Sequence, residues 1–267
     1  MKAFTYDVDG CSGCFCCQLA CKDEHCGNDW TPYAKPQPET GQFWGKLNEY
    51  VRGKIPQVKM ARVFVPCQHC ADAPCIKACP VEGGIYTRPD GLVIIDVKKC
   101  TGCQLCVKAC PYDCIFYNAQ LHLAQKCTGC AHLIDRGWKK PRCADVCFHD
   151  AINFGEESEL NLSGTEKLNP EFGLNTRVHY KNLPKRFIAG TVYDPTTKEV
   201  VIGAKCTLSG AAGAKEIITD DFGDFWFEGL AKGAFTLTIT SGSKTKTIKG
   251  DTTEKDLGLG DIPLKLD

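Results

Sequence analysis

The chain has 267 residues, enough to bury a large core without covalent staples. Its 32 basic and 32 acidic side chains cancel, and no apolar run approaches the length of a bilayer span, so nothing points to nucleic acid, an anionic membrane surface or a membrane span in this chain. What stands out is 20 cysteines, an amount that demands a chemical explanation.

The first element is a quartet, Cys11, Cys14, Cys17 and Cys21, spaced C-x2-C-x2-C-x3-C. A stretch from Cys26 to Pro66 follows, with Pro32, Pro36, Pro38 and Pro56 and the aromatics Trp30, Tyr33, Phe43 and Trp44. We expect ordered loop there, its aromatics buried against the core or in a partner. The second quartet, Cys67, Cys70, Cys75 and Cys79, has the looser spacing C-x2-C-x4-C-x3-C. Ile85 to Arg88 and Leu92 to Ile95 flank Pro89-Asp90-Gly91, which signals a hairpin. The third quartet, Cys100, Cys103, Cys106 and Cys110, repeats the first spacing with Pro111 behind it, and the fourth, Cys127, Cys130, Cys143 and Cys147, is C-x2-C-x12-C-x3-C. Short helices are expected after the last cysteine of the ferredoxin-like motifs.

Beyond Phe154 the chain turns polar and cysteine-free, which reads as a linker over 155–184. From 185 to 267 the periodicity becomes strict alternation, with Phe225 and Phe227, then Phe235, Leu237 and Ile239, at every second position between turns at Gly229 and Gly233. The expected fold class is therefore α+β: a duplicated two-cluster ferredoxin-like domain over 1–154, the linker, and a small all-β antiparallel sandwich or barrel.

The spacing C-x2-C-x2-C-x3-C is that of bacterial two-cluster ferredoxins, in which three cysteines wrap one cubane and the fourth ligates its neighbour. Each quartet thus needs a partner quartet. The second and third lie close in sequence, giving Cys67, Cys70, Cys75 and Cys110 on one [4Fe-4S] cluster and Cys100, Cys103, Cys106 and Cys79 on the next. The first and fourth pair by elimination, giving Cys11, Cys14, Cys17 and Cys147 on a third and Cys127, Cys130, Cys143 and Cys21 on a fourth. A disulfide framework suits short secreted chains instead. Zinc competes only for the fourth quartet, and a fourth cysteine thrown to another face suits one tetrahedral ion poorly. Of the four cysteines left over, Cys26, Cys114 and Cys206 read as small buried hydrophobes, as does Cys16, although it competes with Cys17 for a ligand role. His69, inside the second quartet, reads as a hydrogen-bonding loop residue. Lys77, Lys98, Lys99, Lys108, Lys126, Lys139, Lys140 and Arg142 adjoin the quartets and can screen their negative charge. A first ligand at Cys11 leaves no room for a signal peptide, and clusters with free thiols fit a reducing cytoplasm.

The order of the quartets, the hairpin before the third and Lys126-Cys127-Thr128-Gly129-Cys130 resemble the iron-sulfur subunits of the dimethyl sulfoxide reductase superfamily. Asp23-Glu24-His25, Cys130-Ala131-His132-Leu133, Pro141-Arg142-Cys143-Ala144 and Arg177-Val178-His179-Tyr180-Lys181-Asn182-Leu183 resemble a narrower group, the small subunits of the pyrogallol-phloroglucinol transhydroxylases and related phenol hydroxylases and dehydroxylases. The run from Asp221 to Leu237 resembles carboxypeptidase-regulatory or Cna-B sandwiches. The superfamily resemblance implies a large catalytic partner holding molybdenum or tungsten on two pterins, with the cluster of Cys11, Cys14, Cys17 and Cys147 facing it. It also implies electrons passing from there to the fourth, second and third quartets. The transhydroxylase resemblance implies a degenerate third quartet, and the complete one here points instead to net redox chemistry on a phenolic ring with an external electron carrier. No catalytic residue is expected on this chain. The competing readings are a redox-neutral transhydroxylase subunit and a free polyferredoxin.

Overall fold

The computed structural model describes residues 1–266. The chain divides into two compact units: Met1–Asn48 with Arg62–Leu183, and Glu49–Ala61 with the chain from Pro184 onward. Strands predominate and the helices are few and short.

The first unit begins with β1 (Lys2–Asp7) and α1 (Cys16–His25), and the long hairpin of β2 (Lys46–Lys54) and β3 (Gln57–Val65) has its base in this unit and residues 49–61 in the second. The cluster-type loops carry α2 (Pro74–Lys77), the hairpin of β4 (Ile85–Thr87) and β5 (Val93–Ile95), α3 (Leu105–Ala109), the hairpin of β6 (Ile115–Asn118) and β7 (Leu123–Lys126), α4 (Ala131–Ile134) and α5 (Arg142–Asp145). Then come β8 (Ile152–Glu156), β9 (Thr165–Glu166) and β10 (Val178–Lys181). The Pro89-Asp90-Gly91 turn forms as expected: Gly91 takes φ 91°, and the Leu92 N–H donates to Asp90 Oδ1 at 3.1 Å.

Several expectations change. The helices precede or contain the fourth cysteine instead of following it; α1 carries Cys17 and Cys21 on one face, a turn or about 6 Å apart along the axis. The stretch from Cys26 to Pro66 is not all loop, since it holds the β2–β3 hairpin, although Trp44 is buried as its aromatic character required. The polar stretch 155–184 is not a plain linker: β10 pairs in parallel with β1, Phe4 opposite Val178, within a sheet of order β8-β1-β10-β9. Tyr6 and Tyr180 from the two central strands meet edge to face, and their hydroxyls donate to the carbonyls of Arg62 and Phe64.

The second unit comprises β11 (Arg186–Tyr193), β12 (Lys205–Gly210), β13 (Lys215–Ile218), β14 (Asp224–Leu230), β15 (Ala234–Ser241), β16 (Lys244–Asp251) and β17 (Leu257–Pro263). They form sheets of order β14-β11-β17 and β13-β12-β15-β16. Ile188, Leu208, Phe225, Phe227, Phe235, Leu237 and Ile239 fill the space between them. The pairing is not wholly antiparallel, because β17 runs parallel to β11 with a bulge between Ala189 and Thr191. The tip of the β2–β3 hairpin belongs here: Arg52 donates from Nε and an Nη to both oxygens of Asp256 at 2.8 Å, and Asp256 also accepts the Phe187 N–H.

Candidate cluster sites

Three of the cysteine loops begin C-x-G-C, and their glycines take the left-handed conformation, φ 77° at Gly13, 70° at Gly102 and 64° at Gly129. At Gly102 a β-carbon would also collide with the His122 carbonyl oxygen. The turn curls each loop so that main-chain donors reach sulfur: the Gly129 N–H meets Cys127 Sγ at 3.3 Å and the His69 N–H meets Cys67 Sγ at 3.5 Å. Such backbone donors stabilise thiolates without a cation.

The loops bring cysteines of different quartets together. One cavity is lined by Cys11, Cys14, Cys17 and Cys147 together with Tyr6, Phe15, Leu47 and Phe148. Another is lined by Cys79, Cys100, Cys103 and Cys106 with Val81, Ile85 and Ile95. Cys70 lies within electrostatic reach of Cys67, Cys75 and Cys110, and Cys143 within reach of Cys130, Cys21 and Cys127. Cys14 and Cys103 are exposed, whereas all four of Cys21, Cys127, Cys130 and Cys143 are buried.

Burial and mutual repulsion make these thiols hard to ionise. Burial first, then the neighbouring thiolates, push Cys17 up to about 12, and Cys70 likewise to about 12. Cys106 rises to about 11, and burial raises Cys21, Cys130 and Cys143 as well. A site built this way needs a positive core to hold it ionised, and a thiol-only donor set enclosing a cavity fits an iron-sulfur cluster. Among the described residues, no three His, Cys, Asp or Glu side chains converge on one metal-ion position.

Some neighbours were not anticipated. Cys114 is buried beside Cys110, and hydrogen bonding from its thiol draws Cys110 down to about 6. Cys16 lines the first cavity and lowers Cys14 by hydrogen bonding, so it is not simply a buried hydrophobe. Cys206 fills the core of the second unit as expected. Around the innermost group, Glu24 accepts from His132 Nε2 at 2.9 Å and pairs with Arg142, while Trp30 stacks on His132 at 4.4 Å. His69 and His25 are buried with Nε2 4.0 Å from Cys127 Sγ and Cys130 Sγ respectively. Burial pulls His25 down to about 3 and His69 well below the usual histidine range. The pattern of sequence spacings marks the cysteines but not these rings, whose positions depend on the fold.

Comparison with known proteins agrees with this chemistry. A 4Fe-4S dicluster domain family matches residues 58–157, and a carboxypeptidase regulatory-like domain family matches residues 188–259. The pyrogallol hydroxytransferase small subunit of Pelobacter acidigallici is 34% identical, covering 97% of each chain. A tetrathionate reductase subunit of Salmonella typhimurium is 31% identical over 70% of this chain and 74% of its own length. A component of the anaerobic dimethyl sulfoxide reductase of Haemophilus influenzae is 37% identical over 61% of this chain and 78% of its own length. With the cysteine loops, these likenesses show that the protein belongs to the iron-sulfur electron-transfer subunits of the dimethyl sulfoxide reductase superfamily.

Proposed function

We propose that the chain carries four [4Fe-4S] clusters and serves a large catalytic partner with molybdenum or tungsten on a bis-pterin cofactor. The ligand sets are Cys11, Cys14, Cys17 and Cys147; Cys21, Cys127, Cys130 and Cys143; Cys67, Cys70, Cys75 and Cys110; and Cys79, Cys100, Cys103 and Cys106. The observation that carries this reading is the mixing of quartets, since Cys147, Cys21, Cys110 and Cys79 each stand among cysteines of another quartet. Bound there, each cluster would take up and release one electron. The chain supplies the thiolates, points backbone donors at them and shields the inner sets from water. Exposed Cys14 and Cys103 bring the two outer sets to the surface, which suits exchange with the partner at one and with an external carrier at the other. Among the described residues no helix is long and apolar enough to cross a membrane, and the thiol chemistry favours a reducing cytoplasm.

The end-to-end likeness to the pyrogallol hydroxytransferase subunit supports a phenolic substrate for the complex. Hydroxyl transfer between two phenols exchanges no net electrons. Hydroxylation of a ring by water, or reductive dehydroxylation, exchanges two with an outside carrier, and the complete set around Cys103 favours this reaction. The same likeness supports a second reading, a redox-neutral transhydroxylase. Turnover of phenolic substrates by the native complex, with and without an external redox dye, separates the two. We expect dye-dependent turnover that Cys103→Ser abolishes. Full activity without dye, unchanged by that substitution, returns the protein to the second reading. Iron analysis should find about sixteen irons per chain.

A further inference from the structure

Where three cysteine loops have a left-handed glycine, the fourth has a histidine. His69 takes φ 44° in the loop Cys67-Gln68-His69-Cys70, a conformation that costs an L residue about 1 kcal/mol or more. Its ring is fully enclosed, at 0% exposure. Nδ1 accepts the Val93 N–H at 3.0 Å, so the proton of the neutral ring sits on Nε2, which faces Cys127 Sγ at 4.0 Å. A protonated Nε2 has no lone pair for a metal, so His69 is a donor and not a ligand.

A second ring repeats the arrangement from another element. His25 lies one turn after Cys21 on α1, is 1% exposed, and packs against Trp44 with ring centroids 4.7 Å apart. Its Nε2 faces Cys130 Sγ at 4.0 Å, while Nδ1 has no partner. A proton on Nδ1 would be a buried orphan donor, whereas on Nε2 it meets a sulfur. The two rings thus address the two cysteines of the Cys127-Thr128-Gly129-Cys130 loop.

Resting on the ligand sets proposed above, we propose that His69 and His25 donate Nε2–H to the sulfurs of Cys127 and Cys130, raising the reduction potential of the cluster held with Cys21 and Cys143. Reduction adds negative charge that the sulfurs share, so a fixed N–H favours the reduced form more than the oxidised one. The set is fully buried, so water does not substitute for these donors.

The test is an EPR-monitored redox titration of the native complex carrying His69→Phe or His25→Phe, with His69→Gln and His25→Gln retaining an N–H donor. Each Phe variant should lower one midpoint about tenfold in the reduction equilibrium, or about 59 mV for a one-electron couple, with the other midpoints unmoved and partial recovery in the Gln variants. Unmoved midpoints in Phe variants that keep their iron would overturn the proposal. In case a variant loses the cluster, the unaltered complex with 15N-histidine is examined by pulsed EPR after reduction. A weak coupling to histidine nitrogen is expected, and its absence also overturns the proposal. Zinc instead of iron at this set would defeat the underlying ligand assignment, and metal analysis of the unaltered complex reveals that before any variant is made.

Discussion

The two units fill their interiors with different chemistry. In the second, Phe225, Phe227, Phe235, Leu237 and Ile239 occupy every second strand position and bury hydrocarbon, each side chain contributing about 1.5–3 kcal/mol. In the first, Cys70, Cys75 and Cys106 stand among Ile85, Val93, Ile95 and Ile115 where aliphatic side chains would otherwise pack. A core of the first kind is complete when the chain has folded. A core of the second kind contains buried thiols that repel one another once ionised, so its stability depends on what they bind.

The largest expected contrast follows from removing iron. Chelation under reducing, anaerobic conditions should abolish amide-exchange protection in α1, α3 and the β4 to β7 hairpins while β11 to β17 stay protected. Simultaneous loss from both sets of strands would mean that the sandwich does not stand on its own core. Next in size, Phe225→Ala should destabilise the sandwich by about 3–5 kcal/mol, read as a lowered thermal transition of those strands, with iron content unchanged. Smaller again, Asp256→Ala should cost about 2 kcal/mol, because it leaves the Arg52 donors and the Phe187 N–H without their acceptor. An unchanged transition in that variant would show that water replaces the carboxylate, whose side chain is only 4% exposed.

Legibility in the sequence followed the strength of local constraint. Cysteine spacing was legible because the geometry of the loop dictates it, and cysteines distant in sequence, such as Cys17 and Cys147, line one cavity. The Pro89-Asp90-Gly91 turn and the alternating runs of β14 and β15 were legible because turn chemistry and a period of two act over a few residues. Strand β10 was not, because Val178, His179 and Tyr180 are buried in succession in a strand flanked on both sides and so show no alternation. Strand β2 was missed for the opposite reason, most of its side chains being exposed on either face. Helices of four or five residues are too short to display a helical period. His69 was legible as a hydrogen-bonding loop residue, but its partners were not, since Val93 and Cys127 reach it only through tertiary packing.

The discontinuous make-up of the sandwich unit has a consequence for biosynthesis. Residues 49–61 leave the ribosome ahead of every strand from β11 onward, and Arg52 must wait for Asp256, 204 positions later. At elongation rates of about 5–20 residues per second, that interval is on the order of ten seconds or more. During it the hairpin tip has Val51, Ile55 and Met60 facing water, and these remain exposed in the finished fold. A truncation at residue 184 would make this nascent state permanent, so a clean excision of the sandwich has to shorten the hairpin as well.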